Sequence, residues 1–480
     1  MNSRHSRVPR RTTWAVVPLA ATLLAGCAST AIDSNFNDVQ LLAQSRLGAE
    51  VKWLRSPEAR EQASKEVQSI LAQPLSADDA VRLALAYSPA LQATLYDSAA
   101  ASAAAAQGAR LPNPVFTFER LVRGQGADRD LDIGRSLGIS VFDLLLLPSR
   151  MRIANFQQQQ IQLRLAGDVV QAATDARQNW VRAVAAQQQV QYAEQVKAAA
   201  DASAELARRM QAVGNFSRLQ RAREQAFAAE AVAQLARARQ SAQSSREALV
   251  RTLGLDAAQA RQLKLPERLP DLPKTPRDEA QVAQQAIEQR LDVRMAQADL
   301  RATARELGLS RVTSVINGLH VAAVRNRETG EPPQRGFELE LPIPLFDFGD
   351  AVRARSQATY MAAVNRTAQL AVDATSQVRE TYGAYRTSFD VARHYMDEVV
   401  PLRKTISEEN QLRYNGMLIG VFELIADARD QVASVNQALE AQRDFWLADA
   451  ALQATLIGKP AGPIAFQSPS AAPTGGDAGH

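Results

Sequence analysis

The stretch from about Ser149 to Ala212 reads as one helix. At 1.5 Å per residue, its roughly 64 residues extend about 95 Å. It is rich in Ala, Gln and Arg and poor in large apolar residues, and Gly167 is its only Gly or Pro. No core of an ordinary globular monomer covers a helix of that length. A helix of this composition has to be a stave, packing on neighbouring helices through small residues in coiled-coil fashion. The stretch from Asp350 to about Tyr414 has the same character and is again about 97 Å long. A glycine-marked turn follows each stave, at Gly214 in the first and at Gly416 and Gly420 in the second. A return helix then runs over Phe216–Leu253 and up to Gly458, respectively.

The two hairpins are copies. Ala212-Val213-Gly214-Asn215-Phe216 followed by Arg223-Glu224-Gln225 matches Ile419-Gly420-Val421-Phe422 followed by Arg429-Asp430-Gln431. Phe142-Asp143 matches Phe346-Asp347, and Ala84–Leu91 matches Ala286–Val293. The spacing drifts only between about 202 and 206 residues, a period that marks a duplicated domain and not a solenoid repeat. This gives an N-terminal extension over 27–74, a first structural repeat over 75–264, a Pro-rich linker over 265–277 and a second repeat over 278–458. A Pro/Ala/Ser/Gly-rich tail over 459–480 is expected to be disordered.

Each repeat opens with a shorter helix and then two strands. In the first, Ser76 and Asp79 fit an acidic capping box, and the helix runs to about Gln107 with a break near Ser88 enforced by Pro89. Strands follow over Val115–Val122 and Leu131–Phe142. The second alternates Ile133, Leu137, Ile139 and Val141 with Asp132, Gly134, Ser136, Gly138 and Ser140, and Arg135 interrupts the apolar face. In the second repeat the helix covers Asp278–Leu307, and strands cover Arg311–Arg325 and Gln334–Ile343. Phe337, Leu339, Leu341 and Ile343 there alternate with Glu338, Glu340 and Pro342. One apolar and one polar side suits a strand between lipid and a watery lumen, and it equally suits a hairpin on a soluble core. In the extension, residues 41–72 read as amphipathic helix, with Leu41, Leu42, Leu47, Val51, Trp53 and Leu54 as packing candidates.

The N-terminus reads as a targeting segment. Arg4, Arg7, Arg10 and Arg11 precede an apolar run, Thr12–Ala25, that is short for a membrane span. The run ends at Leu24-Ala25-Gly26-Cys27, which resembles a bacterial lipobox and implies cleavage after residue 26 and acylation (palmitate among the acyl groups) of Cys27. The alternative is a plain signal peptide beside an incidental cysteine. Ala28, where an Asp in such signals favours retention at the inner membrane, points to the outer membrane. The chain's formal charge is +4, and residues 1–26 hold four arginines and no acid, so the remainder is neutral and nucleic-acid binding gains no support. One cysteine excludes an internal disulfide and any cysteine-cluster metal site. The four His are scattered, and no nucleophile constellation or phosphate loop is visible. The expectation is therefore a protein that is not an enzyme and carries no cofactor. Beyond the targeting segment no apolar run of about 20 residues occurs, so crossing a membrane would require a closed barrel.

The order of these features resembles the TolC family of outer-membrane efflux channels, in its lipoprotein branch. The resemblance rests on the Cys27 lipobox, on Ala80-Val81-Arg82-Leu83-Ala84-Leu85 with Ser88-Pro89-Ala90-Leu91, and on Leu111-Pro112-Asn113-Pro114. In the second repeat it rests on Arg290-Leu291-Asp292-Val293-Arg294-Met295-Ala296, Leu341-Pro342-Ile343-Pro344-Leu345-Phe346-Asp347, Tyr414-Asn415-Gly416 and the Gly458 stop. It covers about residues 75–460, through motif order more than through any single motif. It implies an α+β, mostly helical fold. Duplicated long antiparallel helical hairpins would form a trimeric α-barrel, and four strands per chain would contribute to a 12-stranded transmembrane β-barrel. It also implies a homotrimer in outer-membrane lipid with a periplasmic extension, served by a periplasmic adaptor (a membrane fusion protein) and an inner-membrane efflux pump.

In that family the hairpin tips form the periplasmic entrance and dock the adaptor. Here these are Val213, Gly214, Asn215 and Phe216, with Leu418, Ile419, Gly420, Val421 and Phe422. The simpler role of the glycines is to permit a positive φ in the turn. The resemblance places acidic constriction residues at Glu423 or Asp427, where a carboxylate ring would attract cations and resist closure, and Arg218 stands where an acid often sits at the first tip. The function expected is a passive exit duct of a tripartite efflux system. The rival reading is a periplasmic coiled-coil lipoprotein acting as adaptor or envelope spacer. An enzyme built on Asp143 and Asp347 is weaker, because both stand where they can cap the following turn and helix.

Overall fold

The computed structural model of the chain describes residues 26–124, 129–282, 284, 290–313, 318–343 and 345–459. The leader expected over 1–26, Gly26 apart, lies outside these residues, as do Pro344 and the tail beyond Lys459. Cys27 lies in helix α1 (Gly26–Leu47). Next come α2 (Pro57–Leu71), α3 (Ala77–Tyr87) and α4 (Pro89–Gly108). Ser88, at ψ 121°, separates α3 from α4, since the residue before a proline is driven out of the helical region. Ser76 caps α3 by accepting from the Asp79 amide, while the Asp79 carboxylate accepts the Ser76 hydroxyl and pairs with Arg82.

Strands β1 (Val115–Arg123) and β2 (Asp130–Ser140) lead straight into α5 (Val141–Ala212), a helix of 72 residues. The start expected at Ser149 is too late. Four leucines, 144–147, favour helix strongly enough that Pro148 is carried inside it. The Ser140 hydroxyl accepts from the Asp143 amide at this start, and Asp143 pairs with Arg150 at 2.9 Å. Asp347 has a different task, accepting from the Gly349 amide to hold the turn before the second stave. Helix α6 (Arg218–Leu253) returns, and the short α7 (Ala257–Gln262) precedes the linker.

In the second repeat α8 (Leu291–Thr313) runs through residues expected to begin a strand, and β3 spans His320–Glu328, three residues past the expected end at Arg325. Strand β4 (Gln334–Glu340) stops ahead of Pro342. The second stave is α9 (Asp350–His394), a π-helical turn over Tyr395–Val399, and α10 (Val400–Asn415). Pro401 accounts for the interruption: it has no N–H, so the preceding turn re-registers into wider bonding. Helix α11 (Val421–Ile457) closes the repeat. Gly458, at φ +90°, ends it against the start of α8, where an added Cβ would stand 2.7 Å from the Leu291 amide. Gly254 makes the matching close approach to Pro89 in the first repeat.

The chain divides into two compact units that each draw on both repeats. The first holds the sheet, antiparallel in the order β1-β2-β3-β4, so β1 and β4 are open edges. The pairings Phe116↔Leu137, Leu137↔Ala323 and Ala323↔Phe337 put the odd residues of β2, β3 and β4 on one face with the even residues of β1. Asn35 of α1 also belongs to this unit, bonding Ser102 of α4 at 3.2 Å and Gln158 of α5 at 2.7 Å.

The second unit holds both hairpin turns, both return helices and the staves from Ala166 and Ala371 onward. Its principal core joins Tyr385 and Phe389 of α9 to Phe445 and Leu452 of α11, with the Tyr385 and Phe445 rings 5.6 Å apart. The Pro-rich linker lies on this core, where the Pro270 carbonyl accepts from Gln442 and Trp446. Val51 and Leu54 of the N-terminal extension are buried in this unit as expected, held by Gln92 bridging the Lys52 carbonyl and the Leu54 amide. Leu41 is 64% exposed and packs less than its place in the pattern suggested.

Candidate functional site: the hairpin ends and the sheet faces

The two hairpin turns share one hydrogen-bond frame. In the first, the amides of Val213, Gly214 and Asn215 reach the carbonyls of Arg209, Gln211 and Met210. In the second, those of Gly416, Met417 and Leu418 reach Leu412, Tyr414 and Arg413. Every pair is displaced by 203 residues, three fewer than the glycine-on-glycine match of the sequence gives. Gly214 therefore corresponds to Met417, Ser217 to Gly420 and Phe216 to Ile419.

The correspondence corrects the role given to the second tip's glycines. Gly214 takes φ +83°, and open space surrounds it, so the left-handed backbone alone calls for glycine there. In the second tip Gly416 and Gly420 lie at φ −80° and −84°, and Met417 carries the left-handed conformation at φ 58°. The following helices differ in the same sense. Ser217 and Gln220 form a reciprocal capping box on α6, whereas Gly420 offers α11 no side-chain cap.

Among the docking candidates, Val213, Gly214 and Asn215 are exposed and Phe216 is buried. Leu418 and Gly420 are exposed, Ile419 and Val421 are half-buried, and the Phe422 side chain lies outside what is described. Glu423 sits exposed in the first turn of α11. Asp427 is buried, and its Oδ2 has no hydrogen-bond partner.

A contact without an assigned role in the sequence ties the hairpins together. Glu224 of α6 is buried; it accepts both from the Ser203 hydroxyl at 2.7 Å and, through both carboxylate oxygens at 2.9 Å, from one terminal guanidinium nitrogen of Arg429 in α11. The guanidinium also lies 4.4 Å from the centre of the Phe227 ring, a cation–π contact. Just beyond, Val196, Ala200 and Ala231 cluster with Tyr192 and Val432. Burial pushes the Tyr192 phenol up to about 12. The sequence signal for the lock was there, because Glu224 and Arg429 belong to the repeated Arg-acid-Gln triplet. The corrected offset makes Asp427 the counterpart of Glu224 and the exposed Ala226 the counterpart of Arg429. Asp427 is the lock's second copy without its arginine.

The sheet has one apolar and one acidic face. Phe116, Phe118, Leu137, Phe337 and Leu339 stand on the first, each more than half exposed. Glu119, Asp130, Asp132, Glu328, Glu338 and Glu340 stand on the second, where Arg123 is the only Lys or Arg. Ala322 and Gly138 on that second face are buried while Leu137, Ala323 and Arg325 on the other are exposed, so the sheet is more enclosed on its acidic side. Among the described residues no helix is long and apolar enough to cross a membrane, and no group of three potential metal ligands occurs.

No family model and no curated protein matches the chain. Solved structures do. The CmeC outer membrane channel of Campylobacter jejuni superposes with a TM-score of 0.68 at 12% identity, over 86% of this chain and 90% of that one. The outer membrane protein VceC of Vibrio cholerae gives 0.67 at 14% identity, over 80% and 96%. The open state of the Neisseria gonorrhoeae MtrE outer membrane channel gives 0.60 at 17%, over 79% and 89%. The likeness runs over most of both chains in each case, and this chain has the fold of the TolC-family outer-membrane channels.

Proposed function

We propose that the chain is the outer-membrane exit duct of a tripartite efflux system, working as a homotrimer and passing substrate passively outward. The observation that carries this reading is the open four-stranded sheet. Its edges β1 and β4 are unpaired, and its better exposed face is apolar. Open edges are not tolerated in lipid, and four strands do not close. Three copies give twelve strands, apolar outside and lined within by the acidic face, which would make the lumen favour cations.

On this reading the exposed turns at Val213–Asn215 and Leu418–Gly420 meet a periplasmic adaptor, which links the duct to an inner-membrane pump. Glu423 and Asp427 stand near the constriction, and acylated Cys27 anchors each protomer in the outer membrane. The duct needs no catalytic group or cofactor; energy and substrate choice rest with the pump.

Cross-linking of the purified acylated protein tests the assembly. Cysteines placed on β1 and β4, in a chain whose own cysteine carries its acyl groups, should yield covalent trimers in membranes. Monomers bound only peripherally, with both strands open to protease, would leave the coiled-coil spacer or adaptor reading.

A further inference from the structure

The apolar face of the sheet carries an unexpected charge. Arg135↔Arg325 and Arg325↔Arg335 are direct cross-strand partners, so three arginines stand in one row on β2, β3 and β4. One row further, Arg120 and Arg327 flank Ile133 on the same face. All five are exposed, and this face holds no Asp or Glu within the strands. None of their side chains has an ion-pair or hydrogen-bond partner among the described residues. Like charges directly opposite one another on a sheet destabilise it, so the row is unfavourable for the isolated chain and calls for an anion from outside.

The position of the row says which anion. The two rows on its helix side hold Phe116, Leu137, Ala323 and Phe337, then Ile139, Val321 and Leu339. Exposed Leu341, Ile343 and Leu345 continue the apolar band past the strand end to Phe346, which is 98% exposed. At the rise of a strand, Phe337 to Ile343 would span about 20 Å, close to the apolar height of a membrane barrel. Arginine facing lipid is costly at mid-bilayer and nearly free at the interface, so the row has to lie at headgroup level with the apolar band below it.

We infer that Arg135, Arg325 and Arg335, extended by Arg120 and Arg327, form a binding belt for anionic, phosphate-bearing lipid headgroups of the leaflet farther from the helices. Guanidinium groups suit phosphate through paired N–H donors, and neighbouring strands space them about 4.8 Å apart at the backbone, so one headgroup can meet more than one arginine. The belt would fix how deeply the barrel sits. This inference rests on the membrane-barrel reading proposed above.

The test reconstitutes the full acylated chain in nanodiscs of phosphatidylcholine with a minor fraction of phosphatidylglycerol. The lipids retained by the extracted protein are then quantified by mass spectrometry. Wild type should retain phosphatidylglycerol over phosphatidylcholine by roughly tenfold or more, and the triple variant R135Q/R325Q/R335Q should lose at least about fivefold of that preference. The lysine triple variant, which keeps charge without the paired donors, should fall between them. A heat-resistant inserted trimer with equal lipid ratios in wild type and glutamine variant would overturn the belt and leave the duct intact. Failure of wild type itself to insert, with the strands open to protease, would overturn the barrel reading and the belt with it.

Discussion

The two hairpin ends are built on one frame and finished differently. The first has glycine where the backbone is left-handed, a reciprocal capping box on its return helix, and a buried carboxylate satisfied by Ser203 and Arg429. The second has Met417 at the left-handed position, an uncapped helix start, a buried Asp427 with an unpartnered oxygen, and a π-helical turn in its stave. The two hairpins repeat one plan, and the second lacks the glycine at the left-handed position, the side-chain cap and the satisfied carboxylate that the first has. In the trimer proposed above, the first hairpin would be the better fixed and the second the freer to move, with the Glu224–Arg429 contact holding the second to the first.

The largest effect should follow from cutting that contact. Arg429→Ala leaves the Glu224 carboxylate buried with only a hydroxyl partner. It should cost about 3 kcal/mol, read as a lower melting temperature in detergent and faster hydrogen exchange in α11 than in α6. Equal exchange in both return helices would break the comparison. Gly214→Ala forces a Cβ into the left-handed region and should cost about 1–2 kcal/mol by thermal denaturation. The reverse change, Met417→Gly, should stabilise by about 0.5–1 kcal/mol, since relief of strain outweighs the entropy glycine adds to the unfolded chain. Opposite signs at these two equivalent positions would sharpen the comparison. The smallest effect belongs to Gly420→Ser, where a side-chain cap should add a few tenths of a kcal/mol, measured as the change in melting temperature.

The features legible in the sequence were those written in local chemistry. Pro89 forces its break, and alternation along Leu131–Ile139 marks a face. The Val141 helix start was not legible, because Val141 continues the alternation of β2 and only the Ser140 cap ends it. Nor was the three-residue shift between the tips. Matching Gly214 to Gly420 satisfies a glycine pattern, while the hydrogen bonds match it to Met417, a residue that the pattern excludes. The lock was half visible: the repeated triplet pointed to Glu224 and Arg429, and only the fold brings residues 205 positions apart into contact. The arginine row was hidden for a related reason. Arg135 alone looked like an interruption, and the strand register is what sets Arg325 and Arg335 beside it.

Single-channel recording of the purified protein in a planar bilayer tests the proposed duct most directly. Wild type should show discrete, cation-favouring openings, and Arg429→Ala, by releasing the second hairpin from the first, should raise the open probability without changing the fully open conductance. No conductance from either protein, under conditions where the trimer is inserted, would contradict the account.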